Sequence, residues 1–409
     1  MVLGLARGSL VLLGLAIPVS VVLDNLLLFV LLLLMPFAGI RELAALAKNN
    51  PVARSASLLF GALAIGMVYG EGSLAEAVAT LGKYADLAFV PLFMLVARDE
   101  SVRYRAAQIF IAVMMLTAAL SWLVGMHVLP LYGWMWVGAT PDNPPIFRGP
   151  ITQNVLMAYA GYLILLRMRI HADKRMRWGY GALAALSLGS VLFLVQGRTG
   201  YLVLLALLLY FVWVIWRQSQ SGTGRNASWR RAAGMSLLAL FLVVGVYQAS
   251  PRLHERMDKV VTEFKAWQPG ESQRTSTGER MEFYYHSLAL VKQHPWLGVG
   301  TGGFHSAYEQ QVQGNDAQLT GNPHNEYLLI TVQLGLGGLL LLLYLFYTQW
   351  RYAVNLPTLF EQDAARGLVL TISITALFNS PLLDHTEGLF SAFASALLFA
   401  NLRVGKRDA

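Results

Sequence analysis

Apolar residues in this chain fall in long continuous runs, such as Leu26 to Met35 and Leu336 to Phe346, with no strict alternation. A spanning β-strand needs only about ten alternating residues, whereas a helix crossing a bilayer needs roughly twenty predominantly apolar ones. These runs have the second character. With 56% hydrophobic and only 13% charged residues, a soluble globular core is excluded and a polytopic all-α membrane protein is implied. Spans are expected near residues 9–23, 26–40, 56–71, 83–97, 106–128, 151–166, 180–196, 199–216, 233–249, 325–350, 367–382 and 386–402, about twelve crossings in all.

The connections between these runs alternate in charge. One face collects Arg41, Lys48 and Arg54, then Arg98, Arg103 and Arg105, then Arg167, Arg169, Lys174, Arg175 and Arg177, then Arg217, Arg225, Arg230 and Arg231. With Arg7, Arg351, Arg366, Arg403, Lys406 and Arg407 it holds most of the 31 lysines and arginines. The positive-inside rule makes that face cytoplasmic, with both termini on it. The polar segment 250–324, between the ninth and tenth spans, is then external, and residues 1–409 form one membrane domain with this single excursion. The net charge of +8 is accounted for among anionic headgroups and gives no reason to invoke nucleic acid. The absence of cysteine rules out disulfides, thiol catalysis and cysteine metal sites. The first apolar run contains Pro18 and leads almost directly into a second, without a small-residue cleavage site, and reads as a retained helix.

Within the polar segment, Leu253, Met257, Val260, Val261 and Phe264 follow helical spacing with Arg256, Lys259 and Glu263 between them. An amphipathic helix on the membrane surface and one packed against the membrane domain both fit. A second helix is expected from Ser276, with its hydroxyl and Glu279 as a capping box and Arg280 in the first turn. A cation beside unpaired helix N–H groups suits a bound phosphate, while pairing of Arg280 with Glu279 or Glu282 is the plainer alternative. Arg198, in the short turn Gln196–Gly200, raises the same choice between function and snorkelling to the interface. Arg148 is a further external cation, a candidate substrate contact or headgroup anchor. Gly298, Gly300 and Gly303 fit GxGxxG spacing but follow Pro295-Trp296 rather than a strand, so a tight turn is expected and a dinucleotide site is not.

His324-Asn325, followed after nine residues by Gly335-Leu336-Gly337-Gly338, stands where the polar segment meets a spanning helix. A neutral imidazole there can accept a proton where a lipid-borne substrate meets a water-soluble group. His286, His294, His305 and His385 show no convincing ligand pattern, and no Asp-x-Asp pair is present to clamp a metal on a diphosphate. Arginine forks can stabilise phosphate charge instead. Asn325 and the glycines are expected to be structural, with Gly335, Gly337 and Gly338 allowing close helix packing.

Taken together, the Arg-Thr-Gly turn at Arg198, the Arg280 helix running to His294-Pro295-Trp296-Leu297-Gly298-Val299-Gly300, and His324-Asn325-x9-Gly335 resemble the bacterial O-antigen ligases. That superfamily also includes O-antigen polymerases and some protein O-glycosyltransferases. The resemblance implies a helical membrane fold of the GT-C kind in the bacterial inner membrane with a periplasmic active site. It implies metal-independent, inverting transfer of O-antigen from undecaprenyl diphosphate to lipid A core, without a cofactor. By this resemblance Arg198 and Arg280 bind the diphosphate and His324 is the essential histidine, acting as base or orienting the acceptor. Gln333 stands where many members of the superfamily carry an acidic residue. Polymerase chemistry remains the alternative, and a lipid-linked glycan transporter is a third reading. The spans are nearly free of charge, whereas transporters commonly place ionisable groups at the bilayer midplane.

Overall fold

The computed structural model describes residues 2–38, 40–220, 251–268, 275–314 and 317–402. It is helical, and among the described residues the β-pairing is an isolated bridge between Thr140 and Asn143. In chain order the helices are α1 (Val2–Val19), α2 (Val21–Ala38), α3 (Ile40–Asn49), α4 (Pro51–Tyr69), α5 (Leu74–Lys83), α6 (Asp86–Val96), α7 (Glu100–Gly125) and α8 (Pro150–Ile170). They continue as α9 (Lys174–Gly189), α10 (Arg198–Gln220), α11 (Pro251–Ala266), α12 (Ser276–Gln293), α13 (Phe304–Val312), α14 (Glu326–Tyr352), α15 (Leu359–Phe378) and α16 (His385–Phe399).

Seven segments among the described residues are long and apolar enough to cross a membrane: Val2–Val19, Pro51–Tyr69, Leu74–Val96, Glu100–Gly125, Lys174–Leu194, Arg198–Arg217 and Glu326–Asn355. The chain is therefore a polytopic helical membrane protein, but with fewer such spans than the twelve expected. The physical reasons differ from helix to helix. α8 carries Thr152, Gln153 and Asn154 near its start and Arg167 and Arg169 in its last turn, and α15 carries Glu361, Asp363 and Arg366. α16 has only 15 residues, and the apolar part of α2, Val21–Leu34, is also short. The expected span at 233–249 lies outside the described residues.

The fold divides into two compact units. The first comprises Met1–Leu33, Asp99–His254 and Asn355–Ile374. Here α1 packs on α7, and α8 packs on both α9 and α10. Its interior holds a polar hub at Asp363, whose carboxylate accepts from Arg169 (2.8 Å) and from the Tyr210 hydroxyl (3.3 Å). The Tyr162 hydroxyl donates to the Asp363 backbone carbonyl at 3.0 Å. Satisfying buried polar groups in this way is what allows them inside an apolar bundle.

The second unit comprises Leu34–Arg98, Glu255–Val354 and Thr375–Ala409. α4 packs along α14, α6 lies against α16, and α12 against α14. Asn50 caps α4 through its side-chain oxygen while its amide donates to Phe399 O at 2.8 Å. α14 is not one continuous helix, because Gly335 has φ 65° and ψ −165°. The backbone groups this break releases are taken up by the chain after α12. Val299 N–H donates to Val332 O (2.8 Å), Gly300 N–H to Gln333 O (2.9 Å) and Leu336 N–H to Pro295 O (2.8 Å). Gly335 is thus a break in the helix rather than a helix-packing glycine, and Gly337 has no neighbour within 4 Å of a would-be Cβ.

The turn expected at the glycine cluster is present, built on Gly298, Gly300 and Gly302 at φ 67°, 80° and 84°. Gly303 instead caps α13 at φ −77°. Close approach enforces glycine here: a Cβ on Gly300 would collide with Gly70 Cα, and one on Gly298 with the Val332 carbonyl. In α11, Val261 and Phe264 are exposed while Glu263 is buried.

Candidate functional site

His324 lies just ahead of α14 in the second unit. Asn325 is the N-cap of that helix, its Oδ1 accepting from Leu328 N–H (3.0 Å) and its Nδ2 donating to Leu377 O (3.0 Å). The structure thereby gives Asn325 the structural task expected of it. His324 itself sits at φ 55°, in the left-handed region. For a residue with a Cβ this conformation costs on the order of 1–3 kcal/mol, and it persists only where surrounding contacts impose it. Those contacts are present. His324 N–H donates to Asn322 Oδ1 (2.8 Å), Ser380 donates its hydroxyl proton to the same oxygen (2.7 Å), and the Tyr284 hydroxyl donates to His324 O (3.3 Å).

α12 supplies the facing wall. It begins at Ser276, as expected, but its cap is Thr275, whose hydroxyl accepts from Gly278 N–H at 3.1 Å. The expected box of Ser276 and Glu279 is therefore replaced by a single cap bond, because the residue three after Thr275 is Gly278, which has no side chain to return one. Arg280, Phe283 and Tyr284 follow at i, i+3 and i+4 and so share one face. The Phe283 ring lies 6.2 Å from the His324 ring. Burial lowers the imidazole pKa from 6.5, and the Arg280 charge lowers it further. The same burial raises the Tyr284 phenol, with Arg280 opposing. At neutral pH the imidazole is consequently unprotonated and able to accept a proton, beside a guanidinium that favours an anion.

Arg280 and His324 are thus brought together within one unit. Arg198 and Arg148 belong to the other unit. Arg198 is the first residue of α10, after a π-helical turn at Ser190–Leu194 and the short link through Gly197. Asn154 ties that link to α8, donating to Val195 O (2.8 Å), and a Cβ on Gly200 would meet Asn154. Arg148 is 6% exposed, with Nη2 on Asp24 (2.9 Å) and on Ile17 O (2.6 Å). Its guanidinium is therefore engaged by a buried carboxylate in the same unit.

The other histidines disperse to separate partners. His286 Nε2 pairs with Glu282 at 2.9 Å, and His294 lies 3.9 Å from Glu71. Gln333 is fully buried, its Oε1 accepting from Gly302 N–H at 3.0 Å, which places it inside the glycine turn. Sequence reasoning missed Phe283, Tyr284, Asn322 and Glu326. Tyr284 had a usable signal, since it stands one helical turn after Arg280. Asn322 and Glu326 flank the His-Asn pair, but only contacts with distant residues reveal their tasks.

Comparison with known proteins adds two findings. An uncharacterized protein of Haemophilus influenzae is 25% identical over 158 residues, covering 36% of this chain. The match spans 39% of that relative's own length. Residues 182–343 match the family model described as O-Antigen ligase. The geometry at His324 and Arg280 falls inside that stretch, and residues 182–343 of this chain are thereby similar to the O-antigen ligase family.

Proposed function

We propose that this protein transfers O-antigen polysaccharide from undecaprenyl diphosphate to lipid A core at the periplasmic face of the bacterial inner membrane. The observation that carries the reading is a half-buried His324, held at φ 55° beside the Arg280 face of α12, where burial and the Arg280 charge lower its pKa. In the reaction, the acceptor hydroxyl oxygen bonds to the anomeric carbon from the side opposite the diphosphate. The bond from that carbon to the diphosphate oxygen breaks, its electron pair leaving with the lipid diphosphate, and the hydroxyl proton passes to His324. Inversion follows from this single displacement. Arg280 stabilises the charge growing on the leaving group, and the site needs neither metal nor cofactor. A positioned base contributes typically about 10²- to 10⁴-fold, and one preorganised charge stabiliser on the order of 10²- to 10³-fold.

Arg198 enters the proposal through the family resemblance alone. Arg148 is not given a substrate role, because Asp24 and the Ile17 carbonyl hold its guanidinium. The test is reconstituted transfer from an undecaprenyl diphosphate glycan to purified lipid A core, with wild type, His324→Ala and Arg280→Ala in buffer containing EDTA. Wild-type product, lost in both variants, is the expected outcome. Elongation of the lipid-linked glycan without a lipid A conjugate would replace this reading with a polymerase.

A further inference from the structure

Glu326, two residues beyond His324, is the first residue of α14 and is fully buried. A carboxylate inside an apolar bundle is costly to desolvate unless its oxygens are engaged by donors. Both oxygens are engaged. Oε1 accepts from the Tyr84 hydroxyl at 2.7 Å, and Oε2 accepts from the Leu382 N–H at 2.8 Å. The Glu326 N–H in turn donates to Asn379 O at 3.1 Å.

These contacts have a shared consequence. Tyr84 follows α5 where the chain breaks before α6, and Leu382 lies in the turn between α15 and α16. The neighbouring residue of that turn, Ser380, also binds Asn322, which holds the His324 N–H. The chain is therefore anchored on both sides of His324, by Asn322 before it and Glu326 after it, and both anchors reach the 379–382 turn. Nothing in the sequence pattern of helix α14 demands a buried acid at its first position, where an exposed carboxylate would serve the helix dipole equally well.

We propose that Glu326 is a positioning residue for His324: its buried carboxylate clamps the 379–382 turn and Tyr84, so that the His324-Asn325 turn keeps the left-handed backbone that presents the imidazole next to Arg280. This proposal rests on the reading of His324 as the base. Glu326 touches no substrate atom and acts only through the placement of the ring. Gln retains one carbonyl acceptor but turns an amide N–H₂ toward a donor, so Glu326→Gln loosens the clamp without changing the side-chain volume. Tyr84→Phe removes one donor to the same carboxylate and leaves the acid in place.

The experiment measures kcat and donor KM for transfer from an undecaprenyl diphosphate glycan to lipid A core. It uses full-length wild type, His324→Ala, Glu326→Gln, Tyr84→Phe and the His324→Ala/Glu326→Gln double variant. Displacing a catalytic group by about 1 Å can cost on the order of 10²-fold. Glu326→Gln is expected to lose kcat on that scale with donor KM within about two-fold of wild type, because Arg280 is untouched. Tyr84→Phe is expected to fall in the same direction by a smaller factor. The double variant is expected to be no worse than His324→Ala alone, since a positioning residue has nothing left to position.

The outcomes separate the proposal from the reading beneath it. Loss in His324→Ala but wild-type kcat in Glu326→Gln removes the positioning role and leaves the base. Activity retained in His324→Ala removes the base and the positioning role with it. A raised donor KM in Glu326→Gln, or a further loss in the double variant, makes Glu326 a general structural residue and overturns the proposal. If Glu326→Gln does not yield folded protein, Tyr84→Phe decides, and an unchanged kcat in that variant overturns it.

Discussion

A histidine at φ 55° gains nothing locally from that conformation, so its neighbours must supply the compensation. At His324 they are Asn322, Tyr284 and the cap on Asn325. Because burial and Arg280 lower the imidazole pKa below 6.5, the neutral base is fully present above that value and disappears as pH falls through the lowered midpoint. Transfer by the wild type should therefore be flat above pH 6.5 and decline below it. A decline centred above 6.5 would contradict the assignment. A second residue-level test concerns Arg148. Asp24 is fully buried and Arg148 nearly so, and removing one partner of such a pair strands the other charge, at a cost of about 3–5 kcal/mol. Asp24→Ala should lower the thermal midpoint in detergent sharply, and an unchanged midpoint would show that the pair carries no stability. Because both sit in short local patterns, the sequence motifs singled out His324 and Arg280, which the structure brings near each other. Arg148 was not legible, because its partner lies 124 positions away.

At the scale of elements, the interrupted helix α14 and the glycine turn after α12 form one construction. The break at Gly335 leaves backbone groups for which Pro295, Val299 and Gly300 are the partners, and the turn can approach only because Gly298 and Gly300 lack side chains. Gly300→Ala places a Cβ against Gly70 and holds an L residue at φ 80°, so destabilisation by more than the roughly 1–2 kcal/mol of left-handed strain is expected. Gly337→Ala, in open space on the same helix, should leave the midpoint unchanged or slightly raised, as expected for Ala in a helix interior. Thermal melting of the two variants side by side checks both, and equal effects would refute the close approach. The spacing of these glycines was visible in the sequence. Their conformations were not, since the sequence spacing pointed to Gly303 where the structure uses Gly302 at positive φ. Likewise the start of α12 was legible, but the choice of Thr275 over Ser276 as its cap depends on backbone geometry.

For the whole molecule, the charge pattern argues an orientation that single-cysteine labelling can test cleanly, because the chain has no cysteine of its own. Glu309→Cys, at an exposed position in α13, should react with a membrane-impermeant maleimide in spheroplasts, and the exposed Lys174→Cys only after permeabilisation. The reverse pattern would invert the topology and place His324 on the wrong side for a periplasmic transfer. The sequence alone determined that this is a helical membrane protein, because the cost of placing polar groups in hydrocarbon is a property of each segment by itself. The tertiary structure decided what segments cannot: that Asp24 holds Arg148, that α14 breaks at Gly335, and that Glu326 is sealed between Tyr84 and Leu382. Each of these depends on which distant groups meet to satisfy one another's hydrogen bonds and charge, and no local pattern carries that information.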